Sequence, residues 1–502
     1  MRAKSADMHD VKVTTDRTVD ASSLDTIVAG LVRPRMSDEE KAVSLWRWLS
    51  HTIYHYGWPY MRPQKEENWQ DPIKVINVHG YSLCGSQARV LGRLFGRVFG
   101  EENTRLIGLT EAEPGAWGLR ESPGAFVDTA LLRDFDKIRL AGHSSVEVRY
   151  GDRWRLLDPE VRFLAYLRGN KGIAGTEDLI ADSSLVTDPV RRIEGLMPCG
   201  DLSRVFYAST FTDWGALRRD AAPDDHSMGV ALRRGETYAR YWDRKGPFHW
   251  FAEMDRRWDP EYISPGPRHI CEGDPAWRHY GNGELVYRPR FADGSYRDGV
   301  LEERGLGAPT PLGLTAAGAG RPARVALAVR APYLLVAGRL EFETTRRTGS
   351  DRVAVWVRLP GSAWRLVWRE TSCGRVRRKL DVSPWTAGRY GYDLRFDVKG
   401  ARRAENAVVH DLTVQSTFVL NYLALPRLLP GRNRVTVTAA DARESRKQRL
   451  EVTYAWSDRE GEHEDRRAIT TLPETYEIEV APVSTFPPEN PKYMRFLRMA
   501  VT

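Results

Sequence analysis

The stretch that decides the reading is Asn77-Val-His-Gly-Tyr-Ser-Leu-Cys84-Gly-Ser-Gln-Ala88, continued by Arg89-Val-Leu-Gly-Arg-Leu-Phe-Gly-Arg-Val-Phe99. Ala88, Leu91, Phe95 and Val98 recur at helical spacing, with Arg89, Arg93 and Arg97 largely off that stripe. The spacing predicts an amphipathic helix over about Cys84–Phe99, stopped by Gly100. Cys84 would be its first residue. A sulfur there faces unpaired backbone N–H groups and the positive end of the helix dipole, which favour a thiolate. The same N–H groups suit an oxyanion formed on a substrate carbonyl. The competing reading is a buried small hydrophobe, the usual role of a lone cysteine.

Upstream, Ser37-Asp-Glu-Glu is an N-cap followed by acidic first-turn residues. Ala42, Leu45, Trp46, Leu49 and Ile53 then mark a second amphipathic helix over Glu40–Ile53. Residues 54–80 mix aromatics with Pro, Gly and charge, and read as a cleft-forming loop. Downstream the period changes to two. Arg105–Leu109 reads as a short strand, and Val146, Val148 and Tyr150 share one face of a strand over Ser145–Tyr150. Gly151-Asp152 has turn chemistry, and Arg153–Leu157 returns. A tight turn there sets His143 opposite Asp158 to within a residue, the base–orienter geometry that a Cys-His-Asp triad needs.

The set Gly80-Tyr-Ser-Leu-Cys84-Gly, Gly142-His143 with Val146 and Val148, and Trp154 with Asp158-Pro159 resembles the transglutaminase-like superfamily, over about residues 35–165. The helix Lys41–Tyr54 is similar to the entry helix of that family. The resemblance implies a papain-like α+β catalytic domain, with Cys84 as nucleophile, His143 as general base and Asp158 holding the imidazole tautomer. Two residues separate Tyr81 from Cys84, where many members have a shorter Gly-x-Cys, so the oxyanion donor is left open. Trp69, His79 and Tyr81 precede the cysteine and are candidates for the acyl pocket, against a reading as aromatic loop anchors. Gln87 reads as a solvent-facing polar residue one turn into the helix, with substrate contact as its second reading.

The domain reading is a transglutaminase-like catalytic domain over 1–195, an intermediate, partly β region over 196–303 packed on it, a Gly/Ala/Pro-rich linker over 304–322, and a β-sandwich over 323–485. In the intermediate region VALRRGETYARYW reads as two short strands around an Arg-Gly turn, and Gly281-Asn-Gly283 as a turn. Runs such as RVALAVR, GRLEFET, RVAVWVRL, YGYDLRFDV, AVVHDLTVQSTFVL and RLEVTYAW, separated by short turn signals, are the sandwich pattern.

Composition bounds the function. The chain has 502 residues, which at roughly 150 per domain is about two to four domains. It is 41% hydrophobic and 28% charged, as ordinary folded proteins are. The net charge is +8, yet the basic residues are dispersed among acidic ones, which argues against nucleic acid as a partner. Mean hydropathy is −0.49 and no apolar run reaches the ~20 residues of a membrane span. The N-terminal segment lacks the apolar run of a signal peptide, which leaves the compartment open, as is the oligomeric state. The four cysteines are Cys84, Cys199, Cys271 and Cys373, with no CxxC pair; a Cys199–Cys271 bridge is open. Asp224-Asp225-His226 lacks a distant third ligand, so neither a metal nor a cofactor is expected. Three functions compete. The first is a cysteine enzyme that cleaves or transfers an acyl group of a protein, peptide or glycan substrate. The second is a polysaccharide lyase that uses the same cleft with His/Tyr acid–base residues. His249, His269 and His279 near Trp250 and Trp277 would suit its sugar contacts, or an ordinary aromatic core. The third is a non-catalytic scaffold.

Overall fold

The computed structural model describes residues 8–55, 70–82, 84–109, 143–160, 162–182, 184–190, 211–212, 225–246, 280–440, 449–483 and 493–501. The chain is mostly β, and two hydrophobic cores lie within it.

The smaller core belongs to helices packed on a short sheet. Helix α1 (Leu24–Leu31) and helix α2 (Asp38–Thr52) both begin with a capping box. In α2 the Ser37 hydroxyl accepts the Glu40 N–H, and the Glu40 carboxylate accepts the Ser37 N–H at 2.7 Å. The inward face of α2 carries Ala42, Leu45, Trp46 and Leu49, all buried. A third segment overturns part of the expected 54–80 loop. Asp71 caps a single helical turn, α3 (Pro72–Lys74), which runs into a π-helical turn, Val75–His79. Every residue from Asp71 to His79 is buried. The polar signals seen in the sequence are caps, and the apolar Ile73, Val75, Ile76 and Val78 hold the turn inside.

Helix α4 (Cys84–Phe99) forms where the spacing predicts, with Ala88, Leu91, Leu94 and Phe95 buried. It lies on an antiparallel sheet whose strand order is 153–157, 143–150, 104–109, 211–212. Gly92 faces this sheet: a Cβ there would rest in ordinary van der Waals contact, 3.5–3.7 Å from Thr104, Val146 and Leu106.

The larger core joins two sheet layers through one strand. Ala323–Arg346 is 24 residues long, fusing two of the expected strands. Its first part pairs with Arg389–Lys399 and Val300–Arg304, and its second with Ala407–Leu420 and Gly374–Asp381. The change of partner falls at a register shift between Arg330 and Leu335, around Pro332, which cannot donate to a ladder. A corner strand of this kind is how one continuous sheet folds into two layers. A separate four-stranded sheet, in the order 474–480, 431–438, 8–15, 230–232, shares the same core.

Several expectations about domains change here. The strands of the intermediate region divide: Phe211–Thr212 pairs with Thr104–Leu109 in the sheet beneath α4, and the others join the β region. Glu236–Tyr241 pairs with Met494–Val501 and with Gly281–Tyr287, which in turn pairs with Ala407–Leu420. Val230–Leu232 instead joins Met8–Thr15. The expected linker is ordered, with Leu314 bridged to Val409 and buried. The chain start and a strand beyond residue 485 complete the β region, so its boundaries are not those of 323–485. Gly281–Tyr287 is a strand and not a turn. Its glycines serve close packing: a Cβ on Gly283 would lie 2.1 Å from the Phe418 ring, which stacks on Tyr238 and Tyr333.

One buried side chain couples the two cores. Asn421, 1% exposed, ends the Ala407–Leu420 strand. Its Nδ2 donates to the Thr52 carbonyl at 2.8 Å and the Ile76 carbonyl at 2.7 Å. Its backbone N–H donates to Asn77 O at 2.8 Å, and its Oδ1 accepts the Leu423 N–H at 3.1 Å. Replacing it by alanine leaves two inter-core carbonyls without their donor in a dry setting. Asn421→Ala is therefore expected to cost about 2–4 kcal/mol, read as a lower urea midpoint at an unchanged denaturant slope.

Candidate active site

The chain reaches Cys84 through a tightly held approach. Asp71 is fully buried. Its Oδ1 accepts the N–H groups of Ile73 and Lys74, and its Oδ2 that of His226 at 3.1 Å. Burial raises its pKa above the ordinary carboxylate value, and those three N–H groups oppose the shift. The π-turn closes with Gly80 N–H on the Val75 carbonyl at 2.9 Å. Gly80 has φ +67°, and a Cβ there would stand 2.7 Å from Asn421 Cγ. Glycine is thus required twice, by conformation and by the clamp. Tyr81 and Ser82 then pair in parallel with Tyr54 and His55, so the exit of α2 lies beside the entry to α4.

Cys84 opens α4, half-buried, with a free thiol. The next residue, Gly85, lies against the sheet: a Cβ there would be 3.8 Å from Ser144 Oγ. The helix start therefore abuts the start of the His143–Tyr150 strand. In that strand His143 pairs with Leu109 on one side. On the other, the register runs from Tyr150↔Arg153 to Val146↔Leu157. The ladder ends there; continued by one step it would set Asp158 across from Ser145, while the Asp158 backbone itself bridges to Phe163. The expected direct opposition of His143 and Asp158 is thus off by two residues. An offset of two preserves the face, so His143 and Asp158 stand as diagonal neighbours, with Cα atoms roughly 7–8 Å apart in a regular ladder. A two-residue Gly151-Asp152 loop closed by Tyr150 and Arg153 is centred between its two residues, which puts position 160, not 158, in line with position 143.

Asp158 is fully buried. Its Oδ1 accepts the Glu160 N–H at 2.9 Å, its backbone bridges to Phe163, and its carbonyl accepts Trp46 Nε1–H at 2.6 Å. Trp46 thus ties the inward face of α2 to the end of the returning strand. Beneath, Glu147 accepts Arg105 Nε–H and the Thr176 N–H, both at 2.6 Å, and Arg105 stacks over Trp154 at 4.3 Å. These contacts fix the hairpin on which His143 and Asp158 sit.

The remaining candidates separate. His79 is buried within the π-turn, 1% exposed. Tyr81 is fixed in backbone beside Tyr54. Gln87 is not solvent-facing: it is fully buried and its Nε2 donates to the Ser82 carbonyl at 3.0 Å. Helical periodicity put it off the apolar stripe, but the approach segment covers that side of α4. Trp69, Asp224 and the cluster around His249, His269 and His279 lie outside the described residues, as do Cys199 and Cys271. Among the described residues no group of three or more His, Cys, Asp or Glu is placed to hold a metal ion. No helix among them is long and apolar enough to cross a membrane. Asn421, Asn77 and Asp71 were not singled out by sequence reasoning. Their only signal was a lone polar residue beside an apolar run, which marks countless turns.

No protein-family model matches the chain, and no curated protein matches it. Among solved structures, the pilus backbone RrgB from Streptococcus pneumoniae aligns over 37% of this chain and 44% of its own length, at 10% identity and a TM-score of 0.09. A likeness at that score carries no argument about fold or activity.

Gln87 Oε1 is buried and has no hydrogen-bond partner among the described residues. The Gln87→Leu exchange therefore removes one bond and one unsatisfied acceptor together. Its expected cost is small, within about 1.5 kcal/mol, whereas Trp46→Phe, which removes the indole donor from the Asp158 carbonyl and leaves a cavity in the core, should cost more. Urea unfolding of the two variants side by side checks the order.

Proposed function

We propose that the chain is a cysteine enzyme of transglutaminase-like type, with a papain-like arrangement at the start of α4. The observation that supports the reading is the proximity of Gly85 to Ser144, whose Oγ would lie 3.8 Å from a Cβ placed on the glycine. It sets the residue after the cysteine against the residue after the histidine, with Asp158 on the same face of the hairpin as His143. In this reading three residues far apart in sequence meet at one edge of a sheet.

In this reading Cys84 Sγ attacks the carbonyl carbon of an amide or related acyl group. His143 takes up the thiol proton and delivers it to the leaving amine, and a thioester remains. Water or a second amine then attacks the thioester, loses its proton to His143 and restores the thiol. Hydrolysis and transamidation differ only in that acceptor. Asp158, dry and held by Glu160, Phe163 and Trp46, orients the imidazole. The N–H groups of the first α4 turn are placed to receive charge on the carbonyl oxygen. The substrate is a protein, peptide or glycan bearing such a bond.

The test is alkylation. In a Cys373→Ser background, iodoacetamide at neutral pH is expected to modify Cys84 about tenfold or more faster than an unassisted thiol. The modified residue is located by peptide mapping. His143→Ala should abolish that advantage, and Asp158→Asn should reduce it. A Cys84 that reacts at the ordinary rate and ignores both changes refutes the proposal.

A further inference from the structure

A cleft of about 760 Å³ opens on the outward side of α2, where the two cores meet. None of Cys84, His79, Gln87 and Asp158 lines it, and α2 itself stands between the cleft and the Trp46–Asp158 contact. Its volume falls within the range of small-molecule sites. One wall comes from the helical part, with Val43, Arg47 and Trp48 on α2. Leu423 and Arg427, from the chain just past the Asn421 clamp, and Arg17 also line it.

The charges in the cleft are segregated. Its acidic side chains, Glu39 and Glu40, stand at the first turn of α2. Glu40 is engaged by the Ser37 N–H and hydroxyl, and Glu39 lies towards Gly172. Three guanidiniums, those of Arg17, Arg47 and Arg427, line the cleft with His51 of the last turn of α2. Arg47 is exposed and, among the described residues, neither it nor Arg17 forms an ion pair with a carboxylate. Elsewhere in this arginine-rich chain exposed guanidiniums are commonly paired, as Arg297 is with Glu303 and Arg467 with Asp465. Two exposed guanidiniums, Arg17 and Arg47, without a carboxylate among the described residues and beside a half-buried tryptophan and aliphatic wall describe a site for a negative group attached to an apolar body.

We propose that this cleft binds an organic carboxylate with a long apolar chain or ring system. Its anionic end lies among Arg17, Arg47 and Arg427, and its body lies on Val43, Trp48 and Leu423. The inference is independent of the chemistry assigned to Cys84.

The experiment uses the full chain and two probes, the fluorescent anion 1-anilinonaphthalene-8-sulfonate and dodecanoate. The fluorescent probe should bind saturably, close to one equivalent, and dodecanoate should displace it while dodecyltrimethylammonium does not. Arg47→Glu reverses an exposed charge and should leave thermal unfolding unchanged, yet weaken both anions by about tenfold or more. Arg427→Met should weaken them less. Unchanged affinity in Arg47→Glu, equal displacement by the cationic detergent, or binding of many equivalents would each overturn the proposal. Because Cys84→Ala leaves the cleft intact, that variant should bind the probe as the parent does, separating this result from any failure of the proposed catalysis.

Discussion

A single buried amide governs how this molecule is put together. Asn421 reaches from the end of a strand in the large sheet to the carbonyls of Thr52 and Ile76, and it receives Gly80 against its own side chain. Those carbonyls belong to the last turn of α2 and to the π-turn, both of which would otherwise present unsatisfied acceptors to a dry interior. The clamp therefore satisfies three elements at once. It also sets where the chain can turn towards Cys84, because Gly80 has space for no side chain between the π-turn and Asn421. The geometry at the head of α4 rests on a residue more than three hundred positions away.

The same constraint explains why the cores cannot be treated as separate modules. The strand Met8–Thr15 lies between Gly431–Thr438 and Val230–Leu232, and from it the chain crosses into the helices and returns through strands that join both layers of the β region. Backbone hydrogen bonds are obligatory in a buried strand, so each of these excursions is fixed at both ends. The proposed anion cleft arises at this seam, where the outer face of α2 and the segment after Asn421 come together without touching along their length. The proposed acyl chemistry sits on the other side of α2.

Much of the helical part was legible from local rules. Ser37 followed by Glu40 is a capping box, and Ala42, Leu45, Trp46 and Leu49 keep helical period. Cys84–Phe99 follows from its stripe and its glycine stop. The Gly151-Asp152 hairpin was legible too, and a two-residue loop there already implies the observed register; the expected pairing misplaced Asp158 by two positions, and it stands diagonal to His143 instead of facing it. Gln87 was misplaced because a periodicity argument counts the helix's own faces and not what later covers them. Gly281–Tyr287 was misread because glycines signal turns unless an aromatic ring such as Phe418 needs the space.

What the sequence determined on its own were features set by neighbours within a few positions: caps, amphipathic stripes, alternating strands, and a cysteine at a helix start. Those depend on the roughly fixed geometry of short backbone segments. Tertiary structure alone decided which strands share a sheet, that residues 304–322 are built in, that Ala323–Arg346 turns a corner, and that Asn421 meets Gly80. Such pairings depend on burying polar groups and apolar faces together across long separations, and the free energy of that burial belongs to the assembled set rather than to any window of residues.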